Sequence, residues 1–134
     1  VKAFILDASL AIAWFFPSTP RETNALEKRV LFDDRVALVP TIWRAEIVNF
    51  ISRLQVLGTI SQAEAAEVLH QLVLLPVGVI DDPPPGELLS LSAQFRLTSY
   101  DALYLHAAMS SGEPLATLDS GLIRAAGAAG VQLA

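Results

Sequence analysis

The stretch Ala3-Phe4-Ile5-Leu6-Asp7-Ala8-Ser9 sets the terms for the rest of the chain. Four apolar residues in succession, with no polar alternation, describe a strand covered on both faces, as in a parallel sheet, and the run stops at an acid. Ala8 to Phe16 then reads as a short helix closed by Pro17. Thr19-Pro20-Arg21-Glu22 is a capping box with proline at the first helical position, opening a helix to about Phe32. Val36 to Val39 is the next strand. A helix from about Thr41 to Leu57 stops at Gly58, with Ile42, Ala45, Val48, Phe50, Ile51 and Leu54 as its apolar stripe. Ser61-Gln62-Ala63-Glu64 is a second capping box, and its helix ends before Pro76. Val77 to Ile80 is a strand, Asp81-Asp82-Pro83-Pro84-Pro85-Gly86 a stiff turn, and Glu87 to Phe95 a helix. Ser99 caps a helix to about Ser111, closed by Gly112, and Leu115 to Thr117 is a strand ending near Asp119. An alanine-rich helix and a last strand, Val131 to Leu133, complete the chain.

Strands that alternate with helices predict an α/β domain of three layers, α/β/α, around a mainly parallel central sheet. The 134 residues suit one hydrophobic core, and neither a repeat nor a linker divides them, so 1–134 reads as a single domain. The apolar fraction of 53% and mean hydropathy of +0.49 are high for a wetted monomer and point to an apolar partner surface. Pro17, Glu67, His70 and Pro76 break every run that approaches membrane-spanning length. A strand that begins almost at Val1 leaves no room for a secretory leader, so a cytoplasmic location is expected. The absence of cysteine excludes disulfides, thiolate metal sites and a cysteine nucleophile. Net charge −5 and a pI near 4.8 argue against the broad basic surface of most nucleic-acid binders. If four acids belong to a metal site, the rest of the chain is close to neutral.

In parallel α/β sheets, ligands bind beyond the carboxyl ends of the strands, which gives weight to Asp7 and Asp119, each placed where an apolar strand leaves the core. Asp101 lies in the first turn of a helix, and Glu46 sits within an apolar helical stretch, on one face with Asn49. Converging carboxylates repel one another unless cations neutralise them, and oxygen donors select hard ions such as Mg²⁺ or Mn²⁺ over zinc. Each residue also has a plainer role. Asp7 and Ser9 suit helix capping, Asp101 suits the dipole of its own helix, Asn49 a surface amide and Thr117 an ordinary strand position. His106 reads as a packed or rim histidine, His70 as surface, Trp14 and Trp43 as core or interface packing, and Asp81 and Asp82 as turn residues.

The combined pattern Phe4-Ile5-Leu6-Asp7-Ala8-Ser9, Trp43-Arg44-Ala45-Glu46-Ile47-Val48-Asn49, Ser99-Tyr100-Asp101-Ala102-Leu103-Tyr104 and Leu115-Ala116-Thr117-Leu118-Asp119 resembles the PIN-domain ribonucleases, particularly the VapC-type toxins of bacterial toxin–antitoxin pairs. The order, spacing and coverage of these motifs carry the resemblance. It implies Asp7, Glu46, Asp101 and Asp119 as catalytic and metal-binding acids, supported by Ser9, Asn49 and Thr117. It further implies an Mg²⁺- or Mn²⁺-dependent endoribonuclease that hydrolyses structured RNA such as tRNA or rRNA through a metal-activated water, with a cognate antitoxin and a homodimer as partners. Arg44, Arg96 and Arg124 are candidates for substrate binding because they lie near the site motifs. A receiver domain or an aspartyl-nucleophile phosphatase would need a late lysine, and only Lys2 and Lys28 occur. A catalytically silent PIN-like binding module and a DNA nuclease are the remaining alternatives, because a metal site does not read the 2′-hydroxyl.

Overall fold

The computed structural model describes residues 2–16 and 21–134. Its strands are β1 (Lys2–Leu6), β2 (Arg35–Pro40), β3 (Val77–Ile80) and β4 (Leu115–Ala116). Its helices are α1 (Ala8–Ala13), α2 (Arg21–Phe32), α3 (Trp43–Val56), α4 (Gln62–Val73), α5 (Pro85–Phe95), α6 (Ser99–Ser111) and α7 (Ser120–Ala129). The four strands pair in parallel in the order β3-β2-β1-β4, giving the α/β/α architecture. Thr19 and Pro20 of the first capping box, Pro17 and Val1 lie outside the described residues.

The continuous apolar run has the consequence expected of it. Phe4, Ile5 and Leu6 are fully buried between β2 and β4, and each such side chain stabilises the fold by roughly 1.5–3 kcal/mol. Phe4 also meets Phe32 of α2 edge-on at 5.3 Å between ring centroids. The helix ends follow local chemistry. Ser61 and Glu64 form a reciprocal capping box, both bonds at 3.0 Å, and this exposed pairing holds the Glu64 carboxyl below its usual range. Gly112 closes α6 at φ +72°, a left-handed conformation that strains any residue with a Cβ.

Three expectations need correction. The buried face of α3 is Trp43, Ile47 and Ile51, at four-residue spacing, whereas Ala45 and Val48 face outward. The large indole of Trp43 belongs to the core and sets the rotation of the helix. Thr98, not Ser99, caps α6, because Thr98 holds the extended backbone of an N-cap and its Oγ1 accepts from the Asp101 N–H at 3.2 Å. Val131 to Leu133 is not a full strand but a single parallel bridge, Leu115 with Leu133. Gly130, left-handed at φ +76°, closes α7 just before this bridge.

The connections place the site. From β1 the sheet extends one way through β2 and β3, while β4 lies on the other side. Strand order therefore reverses beside β1, and such a switch point opens a crevice at the carboxyl ends of the strands. Helix α6, buried along most of its length through Ala102, Leu103, Tyr104, Leu105, Ala107 and Ala108, crosses the sheet and packs on β1, β2 and β4. None of the described helices is long and apolar enough to cross a membrane.

Candidate active site: an acidic cleft at the switch point

Asp7 leaves the core directly from β1 and, at 4% exposure, is the one buried charged side chain among the described residues. It occupies the N-cap position of α1, yet its carboxylate makes no capping bond. Instead Oδ2 accepts from the Ser9 hydroxyl at 2.7 Å and from the Thr117 hydroxyl at 2.6 Å. Each hydroxyl also accepts a backbone N–H, Ser9 from Leu118 at 3.5 Å and Thr117 from Asp119 at 3.0 Å, so each single hydroxyl hydrogen is left for Asp7. The Asp7 N–H donates to the Ala116 carbonyl at 3.0 Å, tying the end of β1 to β4 and carrying Thr117 into reach.

The other acids arrive from three helices. Asp101 is the third residue of α6, and Thr98 satisfies its backbone N–H, leaving its carboxylate uncommitted to capping. One turn further along α6, the Tyr104 hydroxyl donates to Glu46 Oε1 on α3 at 2.6 Å and lies 3.4 Å from the Ala8 N–H of α1. This buried phenol fixes where the half-buried Glu46 points. Asp119 caps α7, its Oδ2 accepting from the Leu122 N–H at 2.8 Å. Gly121 makes room for that carboxylate, since a Cβ there would stand 3.1 Å from the same oxygen.

Asp7, Glu46, Asp101 and Asp119 line one open cleft of about 450 Å³, together with Ser9 and Asn49. Thr117 acts from behind Asp7. Arg44 is exposed at the start of α3 and does not line the cleft. Arg96 and Arg124 line a separate groove of about 280 Å³ between the end of α5 and α7. Asp81 and Asp82 are exposed away from the cleft, and Asp82 accepts from Thr41 at 2.7 Å, a loop role. His70 is exposed, and His106 lies at a rim 3.5 Å from Glu87. A cleft of similar size, about 470 Å³, near Gly112 and Gly130 holds Glu113 as its only charged group.

Burial, assisted by neighbouring charge, raises the proton affinity of Asp7, Glu46 and Asp101. Burial pushes the Asp7 carboxyl above its usual range, against the lowering effect of the Thr117 and Ser9 hydroxyls, and the Asp119 charge adds to the rise. Burial likewise raises Glu46, with the Tyr104 bond opposing and the charges of Asp7 and Asp101 assisting. Asp101 is raised by burial first and then by Asp119 and Asp7. Tyr104 is pushed far above the ordinary phenol range by burial and by Glu46, so it serves as a hydrogen-bond donor throughout.

A hard divalent cation fits this donor set in one specific way. The donors are all oxygens and carry surplus negative charge, but no three acids among the described residues close on one point as a ready cage. That arrangement suits a hydrated ion held by one or two carboxylates, the habit of Mg²⁺, rather than a dehydrated ion enclosed by protein.

Several cleft residues have a sequence signal only in retrospect. Tyr104 lies three residues from Asp101, and Phe50 and Arg53 lie four and seven residues from Glu46, the spacings that share a helix face. Phe16 has no such signal, because the path of the chain after α1 brings it there.

Parallel sheet, reversed strand order and clustered carboxylates define an α/β domain with an acidic cleft at its strand ends. The chain belongs to the PIN domain family, whose model matches residues 4–128. It is 40% identical over 67 residues to exonuclease VapC9 of Pyrobaculum aerophilum; the match covers half of each protein, so the chain spans about half the length of that curated relative. Among solved structures it is similar to PAE2754 from Pyrobaculum aerophilum, with a TM-score of 0.73, 26% identity and coverage of 93% of this chain and 79% of the other. VapBC2 from Rickettsia felis, solved with a DNA fragment from its promoter, shares the fold at TM-score 0.66 and 16% identity, over 98% of this chain and 97% of the other. FitAcB from Neisseria gonorrhoeae does so at TM-score 0.64 and 17% identity, over 97% and 95%.

Two outcomes follow from the electrostatics. Because the native carboxyls bind protons more tightly than unfolded ones, their protonated form favours the fold, and that contribution is lost as pH rises from about 4 through the raised native values. In EDTA, Asp101→Asn should therefore gain thermal stability relative to the parent chain as pH increases from 4 to 7; a difference in Tm that does not vary with pH contradicts this. Tyr104→Phe leaves Glu46 without its buried donor and should destabilise the fold by about 1–3 kcal/mol in urea unfolding.

Proposed function

We propose that the chain is an Mg²⁺- or Mn²⁺-dependent endoribonuclease, the toxin of a toxin–antitoxin pair, acting on structured RNA such as tRNA or rRNA. The observation that carries this reading is the meeting of four carboxylates from distant parts of the sequence in one open cleft, where burial and neighbouring charge raise the proton affinities of Asp7, Glu46 and Asp101. A buried structural acid usually has a basic partner; among the described residues none of these four has one. When bound, a divalent cation supplies charge neutralisation and a more acidic water, which lets an acidic protein accept a polyanion.

The chain's own residues hold and orient. Asp7, pinned by Ser9 and Thr117, is the fixed point of the ligand set. Tyr104 sets the direction of Glu46, and the capping bond sets that of Asp119. Asp101, whose backbone N–H is taken by Thr98, lines the cleft with a raised proton affinity and is suited to receive a proton from the attacking water. Asn49, exposed on the cleft wall, offers a neutral donor and acceptor to substrate. Arg96 and Arg124, side by side in their own groove, suit backbone phosphates outside the cleft, with Arg44 as a further candidate.

A cognate antitoxin as partner and a cytoplasmic location belong to the same proposal, and the name VapC9 of the curated relative supports its toxin part. Exposed Val56 and Leu57 at the end of α3, and Val73 and Leu74 at the end of α4, provide two apolar patches for the antitoxin or for a second copy of the chain.

The test is incubation of the purified chain with total RNA and with single-stranded DNA, with Mg²⁺ or EDTA, beside Asp7→Asn and Asp101→Asn. RNA cutting that needs the cation and falls at least a hundredfold in both variants is expected. Internal fragments mark an endonuclease, whereas mononucleotides would match the exonuclease name of the curated relative. Cutting that persists in EDTA rejects the cation, and binding without cutting on every substrate favours the silent module.

A further inference from the structure

Helix α3 presents more to the cleft than Glu46. Glu46, Asn49, Phe50 and Arg53 recur at three- and four-residue spacing and all line it, so one side of the helix faces the acids over about two turns, roughly 10 Å. Phe16, just beyond α1, rests against Phe50 with ring centroids 5.7 Å apart and planes tilted by 57°. Both rings are only partly buried, and both line the same cleft. Arg53 is exposed; among the described residues it is the only cation in the lining and enters no ion pair, even with four carboxylates in the same cleft. Closing the core between α1 and α3 would account for the two rings. It does not account for an unpaired guanidinium beside them.

We propose that Phe16, Phe50 and Arg53 form a nucleotide-recognition subsite, where an unpaired base stacks on the phenylalanine wall and the guanidinium takes a phosphate neighbouring the one held at the carboxylates. The inference rests on the nuclease reading of the cleft and names the residues that would take the base and the phosphate beside the cut. Aromatic faces accept any base, because every base has a π-face, and a guanidinium grips phosphate through two parallel bonds. A base inside a duplex is already stacked on its neighbours and cannot reach such a wall. A basic peptide would suit the acids but would be repelled by Arg53 at this end.

The experiment separates binding from cutting. In the full-length chain carrying Asp101→Asn, with Mg²⁺, fluorescence anisotropy follows a short single-stranded oligoribonucleotide, the same strand with abasic positions, and a blunt duplex. Phe16→Leu and Phe50→Leu should each weaken the single strand about tenfold and leave the abasic strand and duplex unchanged. Phe50→Tyr, which keeps the ring, should bind as the parent does and replaces the leucine variant if that fails to fold. Arg53→Gln should weaken the intact and abasic strands alike and lower the salt dependence by about one ion. Leucine variants that hold the single strand normally while the parent chain still cuts RNA overturn the subsite and leave the nuclease reading intact. Leucine variants that lose a basic peptide but not the oligonucleotide give the wall to a protein partner and also overturn it. A parent chain that neither binds nor cuts RNA removes the nuclease reading itself, and the subsite with it.

Discussion

A carboxylate at the end of a fully buried strand is the constraint around which this molecule is arranged. Among the described residues Asp7 has no basic partner, and its carboxylate is met by two hydroxyl donors, one two residues ahead and one from the far end of the chain. That second donor is available only because β4 lies beside β1 with Ala116 bonded to the Asp7 amide. The strand order, the reach of Thr117 and the position of Asp119 are thus consequences of a single parallel pairing.

The helices answer the same constraint from the opposite side. Tyr104 is fully buried in α6, where an unpartnered hydroxyl would be costly, and its bond to Glu46 satisfies it while fastening α6 to α3. Capping does similar double service. Thr98 relieves Asp101 of a local duty, whereas Asp119 combines the cap of α7 with a place in the cleft. Three of the four acids are held less acidic than usual by burial and by each other, a local instability that the core must offset.

Much of this was legible in the residues. The apolar run before Asp7 signalled a doubly covered parallel strand because no other environment tolerates four such residues in extended chain, and Ser61 with Glu64 announced a helix start because their bonds close within four residues. The rotation of α3 was not legible, because several apolar residues competed for the buried face and only the fit of Trp43, Ile47 and Ile51 into the core chose between them. Nor was the cap of α6, where adjacent Thr98 and Ser99 are chemically equivalent candidates and backbone geometry decided.

By itself, the sequence determined the element types, their alternation and the family, since each depends on interactions between residues a few positions apart or on motifs in a set order. It also nominated the four acids. Only tertiary structure decided that they share a cleft, that Asp119 caps a helix while Asp7 does not, and that Tyr104, Phe16 and Arg53 stand among them. The reason is physical: the burial and the neighbouring charges that define such a site arise between residues distant in the chain, which no local pattern encodes.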